Sequence, residues 1–256
     1  MRKLRDNLFV FDYDMMNTKC FVIFSEHFVF VIDTFLGPDS IRDLYDFIME
    51  FKGGREIVII YTHWHYDHIW GSCLFGKCRV IAHERCRRLM KDSAQDVLED
   101  FRRREPATVM GDVRIIVPDI VFSDSMEIND GDFRLRLESF PGHSEDSIII
   151  IAEPWNICFA GDSLEDPFPL IHEVKGGAAM LASGLKRLDE RGFDVIYPSH
   201  GARTDKGLLT DNISYLEALA EFRSSNDSDF ADYCRINNIT DSFYIDSHRE
   251  NIEFSK

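Results

Sequence analysis

Cysteine is sparse and never closely paired. Six residues (Cys20, Cys73, Cys78, Cys86, Cys158 and Cys234) are scattered through 256 positions, with no C-x-x-C. That spacing excludes a thiolate zinc knuckle and a dithiol redox motif. Each cysteine reads as a small buried hydrophobe with a free thiol. Long apolar runs are missing too: none approaches the roughly 18–20 residues of a membrane span. Positive charge is in deficit, with 29 Lys and Arg against 45 Asp and Glu, a net charge of −16. This excludes a general nucleic-acid binder, which needs clustered basic residues against phosphate, and it excludes docking on an anionic membrane. No repeat, low-complexity tract or Pro/Gly/Ser linker divides the chain, so residues 1–256 read as a single domain. The opening MRKLRDNLFVFDYD has one short apolar patch before Asp12 and Asp14. It reads as a strand rather than an export signal, and the expected location is cytoplasmic.

What is present is a succession of short apolar runs. Leu8–Phe11, Cys20–Phe24 and Phe28–Ile32 have the β-branched and aromatic content of strands. In PDSIRDLYDFIMEFKGG, Ile41, Leu44, Ile48 and Phe51 recur at helical spacing, with Ser40 as the expected cap and Gly53-Gly54 as the stop. Ile57–Ile60 is a further strand. Residues 83–105 are charged but balanced, as in a solvated helix. Strands are expected again at Val113–Val117, Phe133–Glu138, Ser147–Ala152 and Ile157–Ala160. A helix containing Met180, Leu181, Leu185 and Leu188 follows, closed by Gly192, then a short strand at Val195–Tyr197. The segment from about 205 reads as helical, over 211–223 and in pieces over 229–254. Strands on both sides of helices indicate a layered α/β sandwich.

The chemistry is concentrated in histidine. Three of the nine histidines fall within His63-Trp64-His65-Tyr66-Asp67-His68, directly after the Ile57–Ile60 strand. On an extended start, His63, His65 and Asp67 share a face, and His68 must come from a turn or helix start. Imidazole and carboxylate groups presented this way suit zinc or ferrous iron. Further candidates follow later strands: His143 in Pro-Gly-His-Ser, Asp162 in Gly-Asp, and His200 in Pro-Ser-His-Gly.

HWHYDH, PGHS, GD and PSHG, in that order, resemble the metallo-β-lactamase superfamily over about residues 8–225. The resemblance implies an α/β fold, a four-layer αββα sandwich with a dinuclear metal site at the edge between its sheets. It implies that His63, His65 and His143 hold one metal and that Asp67, His68 and His200 hold the other, with Asp162 bridging. Two zinc ions are implied, with iron or manganese as substitutes. Ions roughly 3.5–4 Å apart acidify a shared water, and the hydroxide attacks a carbonyl or phosphorus; Asp67 is the candidate catalytic residue that orients it. Asp162 in place of a cysteine resembles the thioesterase, lactonase and phosphodiesterase branches, with glyoxalase II and the lactonases as the nearest type. The expected activity is hydrolysis of a thioester, a lactone or a phosphodiester. The alternative is a mononuclear iron-dependent sulfur dioxygenase on the same fold. No glutathione signature is evident, since residues 205–256 carry five basic against eleven acidic side chains.

Around the motif, Asp33 is the expected outer partner of a metal-ligating histidine. Phe168 and Leu170, in a loop stiffened by Pro167 and Pro169, are candidate pocket walls, and Tyr197 is a candidate oxyanion donor. These point to a small-molecule substrate with an apolar part, with neither nucleic acid nor membrane as partner. His27, His83, His172 and His248 lack motif context and read as ordinary surface or core histidines.

Overall fold

The computed structural model describes residues 1–171, 173–219, 234–235, 239 and 242–255. One set of strands runs β1 (Arg2–Arg5), β2 (Leu8–Tyr13), β3 (Thr18–Phe24), β4 (Phe28–Ile32), β5 (Glu56–Ile60), β6 (Arg79–His83) and β7 (Ile120–Phe122) across one layer. The second layer is β8 (Ser125–Asp130), β9 (Phe133–Ser139), β10 (Ile148–Ala152), β11 (Ile157–Glu165) and β12 (Val195–His200). A single antiparallel pair, His200 opposite Thr18, joins β12 to β3, so the two layers form one sheet folded on itself.

Period-two alternation builds the layers. On β3 and β4, Phe21, Ile23, Phe30 and Ile32 face inward, where they meet Ile148, Ile150, Ile157 and Phe159 of the other layer. The alternate residues Cys20, Val22, Val29 and Val31 face outward beneath α1 (Arg42–Phe51), α3 (Glu84–Leu89) and α4 (Gln95–Arg104). On the far side, Ile149, Ile151, Cys158 and Ala160 pack under α5 (Gly177–Glu190), α6 (Lys206–Ala218) and α7 (Ser242–Ser255). The result is the expected αββα order. Each fully buried aliphatic or aromatic side chain in these three clusters contributes about 1.5–3 kcal/mol.

Local details depart from the expectations for physical reasons. Residues 113–117 form no strand. Side chains take up their carbonyls instead: Arg102 donates to Val113 O and the Tyr61 hydroxyl to Ile116 O. Ser40 caps no helix; its hydroxyl donates to Gly37 O and α1 starts at Arg42. The charged stretch after His83 is α3 and α4 joined by a π-helical turn, Met90–Ala94. Expectations for 220–233, 236–238, 240 and 241 lie outside the described residues, as does His172.

The loop after β11 also departs from its reading. Asn212 of α6 bonds both backbone groups of Glu165 and also Pro167 O. Asn251 of α7 bonds Ile171 N and Pro169 O. These two buried amides draw the loop into the helix layer. Phe168 is therefore fully buried and stacked on Tyr215, with ring centroids 4.2 Å apart, and is core rather than pocket wall. Tyr197 is likewise no oxyanion donor: it packs between the sheets against Phe21 and Phe159. Leu170 does line the cavity beside the histidines.

Candidate metal centre

Strand ends place every candidate. β5 leads into His63 and His65, and His65 stands at the N-cap of α2 (Tyr66–Ile69), whose first turn carries Asp67 and His68. His143 lies in the turn between β9 and β10, and Asp162 lies on β11. Gly161 before it adopts φ +56°, and a Cβ there would sit 2.9 Å from Thr62 Cβ, so only glycine allows the approach. His200 ends β12. Its successor Gly201 (φ +87°) faces Asp166 so closely that a Cβ would overlap it.

The structure brings the seven side chains together as two groups: His63, His65, His143 and Asp162, and Asp67, His68 and His200. His65 Nδ1 lies 2.9 Å from His63 Nε2 and 3.0 Å from His143 Nε2. Asp67 Oδ2 is 3.1 Å from His200 Nε2 and 3.3 Å from His68 Nε2. Asp162 Oδ2 lies between the groups, 3.6 Å from the His63 and His143 nitrogens, 3.3 Å from that of His68 and 3.4 Å from that of His200. Donors about 2.0–2.2 Å from a tetrahedral ion stand near these separations from one another.

The opposite ring nitrogens explain which atoms are left to converge. His143 Nδ1 donates to Leu170 O at 2.8 Å, and His200 Nδ1 to Met16 O at 2.7 Å. A carbonyl can only accept, so each of these rings turns a lone pair toward the centre. His65 Nε2 faces Glu173 Oε1 at 2.9 Å, leaving Nδ1 inward. Asp33 serves both groups. Its Oδ2 accepts from His68 Nδ1 (2.9 Å) and from Thr62 Oγ1 (2.7 Å), and Thr62 Oγ1 accepts in turn from His63 Nδ1 (3.0 Å). Five lone pairs and two carboxylates thus converge in a buried space, a donor set that a cation satisfies and that fits divalent metals.

The electrostatics follow from burial and crowding. Burial opposes ionisation of Asp67 and Asp162, but His68 and His200 outweigh it and hold both carboxyls well below the usual range. Burial likewise opposes the charged form of His68 and His200, and the aspartates outweigh it. His63 is driven down by burial and by its neighbours His68 and His65. Metal binding at such a site exchanges protons for ions and is pH-dependent.

Asp33 stands where an outer partner was expected, bonding His68 directly and reaching His63 through Thr62. Asp33→Asn is expected to weaken affinity for both ions by about 10–100-fold. Competition with a chromogenic chelator would read this; unchanged retention of both ions would refute it.

Sequence reasoning missed Glu173, Glu165 and Tyr244. Glu173 accepts from Trp64 Nε1 at 3.3 Å as well as facing His65. Glu165 is buried beside the candidate ligands, takes the Tyr244 hydroxyl on Oε1, and is pushed up by burial to about 8. No short motif marks any of them. The four histidines set aside behave as expected where described. His27 bonds Asp130, His83 caps α3 and donates to Ser123 O, and His248 is buried against Tyr215.

Comparison with known proteins agrees with this geometry. A human acyl-coenzyme A thioesterase, MBLAC2 (Homo sapiens), is 27% identical over 192 residues, covering 66% of this chain and 68% of its own. A metallo-beta-lactamase family protein of Thermus thermophilus superposes with a TM-score of 0.68 at 18% identity, covering 99% of this chain and 92% of its own. A metallo-beta-lactamase of Pontibacter korlensis gives 0.65 at 19% identity, covering 84% and 97%. At these identities the structures share the fold. The model of the metallo-beta-lactamase superfamily matches residues 14–200, which contain all seven converging side chains, and the chain belongs to that superfamily.

Proposed function

We propose that this hydrolase holds two zinc ions and cleaves a thioester, with a lactone next in preference and a phosphodiester last. The single observation that carries the two-ion reading is Asp162 Oδ2, within 3.3–3.6 Å of imidazole nitrogens from both groups. The His63, His65 and His143 side chains would hold one ion; Asp67, His68 and His200 would hold the other; Asp162 would join them. A mononuclear iron site needs one such group, so the second leaves the dioxygenase alternative without support. A thioester is favoured by the activity named for the human relative.

When bound, a pair of divalent ions supplies an acidified water and a Lewis acid for the substrate carbonyl. The chain's own residues do the rest. Asp67, within reach of both His68 and His200, orients the attacking water's proton. Asp33, Leu170 O, Met16 O and Glu173 hold the five imidazoles in fixed tautomers, so little reorganisation accompanies charge development. The cavity above them has a volume of about 760 Å³, enough for a small molecule. Trp70, Phe101 and Leu170 line it, which supports a substrate with an apolar part. Neither nucleic acid nor membrane is proposed as partner. Among the described residues no helix is long and apolar enough to cross a membrane, and a cytoplasmic location is proposed on the sequence alone.

Metal analysis of freshly purified protein, beside thioester, lactone and phosphodiester assays, tests the reading. Two zinc ions per chain with thioester turnover is the expected result. One iron per chain with oxygen uptake would overturn it.

A further inference from the structure

Lys19 of β3 is only 5% exposed, although lysine is seldom buried so deeply without a partner. Burial pulls its ammonium down, and Asp12 and Asp166 oppose the fall. Asp12 is its cross-strand neighbour on β2 and is itself paired with Arg2. The hydrogen bond of Lys19 runs elsewhere: Nζ donates to Gly201 O, 182 positions along the chain. Gly201 directly follows His200, a candidate ligand of the second group.

The hairpin of β2 and β3 grips this segment at three points. Met16 O accepts from His200 Nδ1 at 2.7 Å, Thr18 pairs with His200 at the joint of the two layers, and Lys19 holds Gly201 O. From the other side, Asp166 Oδ2 accepts from Ala202 N at 3.1 Å and from Arg203 N at 3.2 Å. The turn that supplies Met16 O is strained, since Met16 and Asn17 have φ of +65° and +49°. Side-chain-bearing residues keep that conformation where their surroundings over-determine it. The first group is anchored elsewhere: His63 on Thr62, His65 on Glu173 and His143 on Leu170 O.

Resting on the two-ion reading above, we infer that Lys19 is a positioning residue for the second ion: by fixing Gly201 O it sets where the His200 ring points, and so how tightly Asp67, His68 and His200 hold their metal. An imidazole held at Nδ1 alone can still pivot, and a hold on the next peptide fixes the backbone that carries it. Charge alone predicts the opposite effect. An ammonium near a cation site repels the ion, so removing it would tighten binding if Lys19 acted through its charge. If Lys19 acts through Gly201, removing it frees that peptide and weakens binding. The sign of the change separates the two.

The test is zinc titration of the metal-free full chain, comparing the parent with K19M, K19Q and V22A. Val22 is fully buried on the same strand, so V22A controls for plain loss of stability. In K19M the second zinc should bind about 10–100-fold more weakly, with the first at its parental affinity. K19Q, which keeps an N–H donor on a shorter arm, should weaken the second zinc less. V22A should lower the melting temperature and leave both affinities in place. Equal weakening of both ions in K19M, an unchanged second ion or a tighter one overturns the inference. Should K19M fail to fold, K19Q is held to the same outcomes. A parent that binds one zinc refutes the two-ion reading instead. Lys19 is then judged on the imidazole nitrogen resonances of metal-free protein: the Lys19 variant should shift or broaden those of His200 and spare those of His143, and an unmoved His200 overturns the inference.

Discussion

Asp162→Ala is expected to lower kcat/KM by about a thousandfold or more, roughly 4 kcal/mol at 1.36 kcal/mol per decade. Asp162 Oδ2 stands within 3.6 Å of imidazole nitrogens in both groups. On the two-ion reading, the pair would lose its shared anion without Asp162, and its mutual repulsion would rise in a buried space where it is poorly screened. The loss should appear in metal content before it appears in fold. One ion, or fractional occupancy of two, should be found by mass spectrometry on protein whose circular dichroism matches the parent. Asp162 stands toward the end of β11, so its removal leaves Ile157, Cys158 and Phe159 packed as before. A variant with two tightly held ions and near-parental turnover would refute the joining role.

The candidate metal centre is more legible in the sequence than the pocket, for reasons that lie in distance along the chain. His63, His65, Asp67 and His68 announce themselves because one strand and one turn present them all; local spacing is nearly the geometry. His143, Asp162 and His200 follow apolar strands beside Gly or Pro, and that context marks a strand end. Glu173 carries no such mark, since its partner His65 is 108 positions away and nothing in the intervening sequence sets their register. Met16 contributes through its carbonyl, which no side-chain pattern can reveal. Phe168 misleads because two flanking prolines suggest a stiff exposed wall; Asn212 and Asn251, far off in sequence, pull it under α6 and α7. Tyr197 misleads against a rule that sequence alone supplies. It lies three residues before His200, and on a strand an odd offset puts two side chains on opposite faces. The αββα order is readable because alternation on β3, β4, β10 and β11 sends apolar residues both ways, which only a doubly covered strand tolerates.

Chelation is expected to inactivate the protein without unfolding it. Small zinc domains collapse without their ion because they have no other core. Here three apolar clusters hold the layers together, and they are built from side chains other than the candidate ligands. Their anchors also survive removal of the ions: Asp33 still bonds Thr62 and His68, and Leu170 O and Met16 O still hold His143 and His200. Stability should nonetheless fall. A ligand that binds only the native state adds RT ln(1 + [L]/Kd), about 4 kcal/mol at a thousandfold excess over Kd. Chelated protein should therefore melt several degrees lower, by about 2–4 °C per kcal/mol for a chain of this size. Its far-UV circular dichroism at 25 °C should match that of the loaded protein, and activity should return when zinc is restored. A random-coil spectrum at 25 °C would instead make the ions structural, because it would mean that the three clusters cannot hold the fold once the five imidazoles and two carboxylates lose the charge they surround.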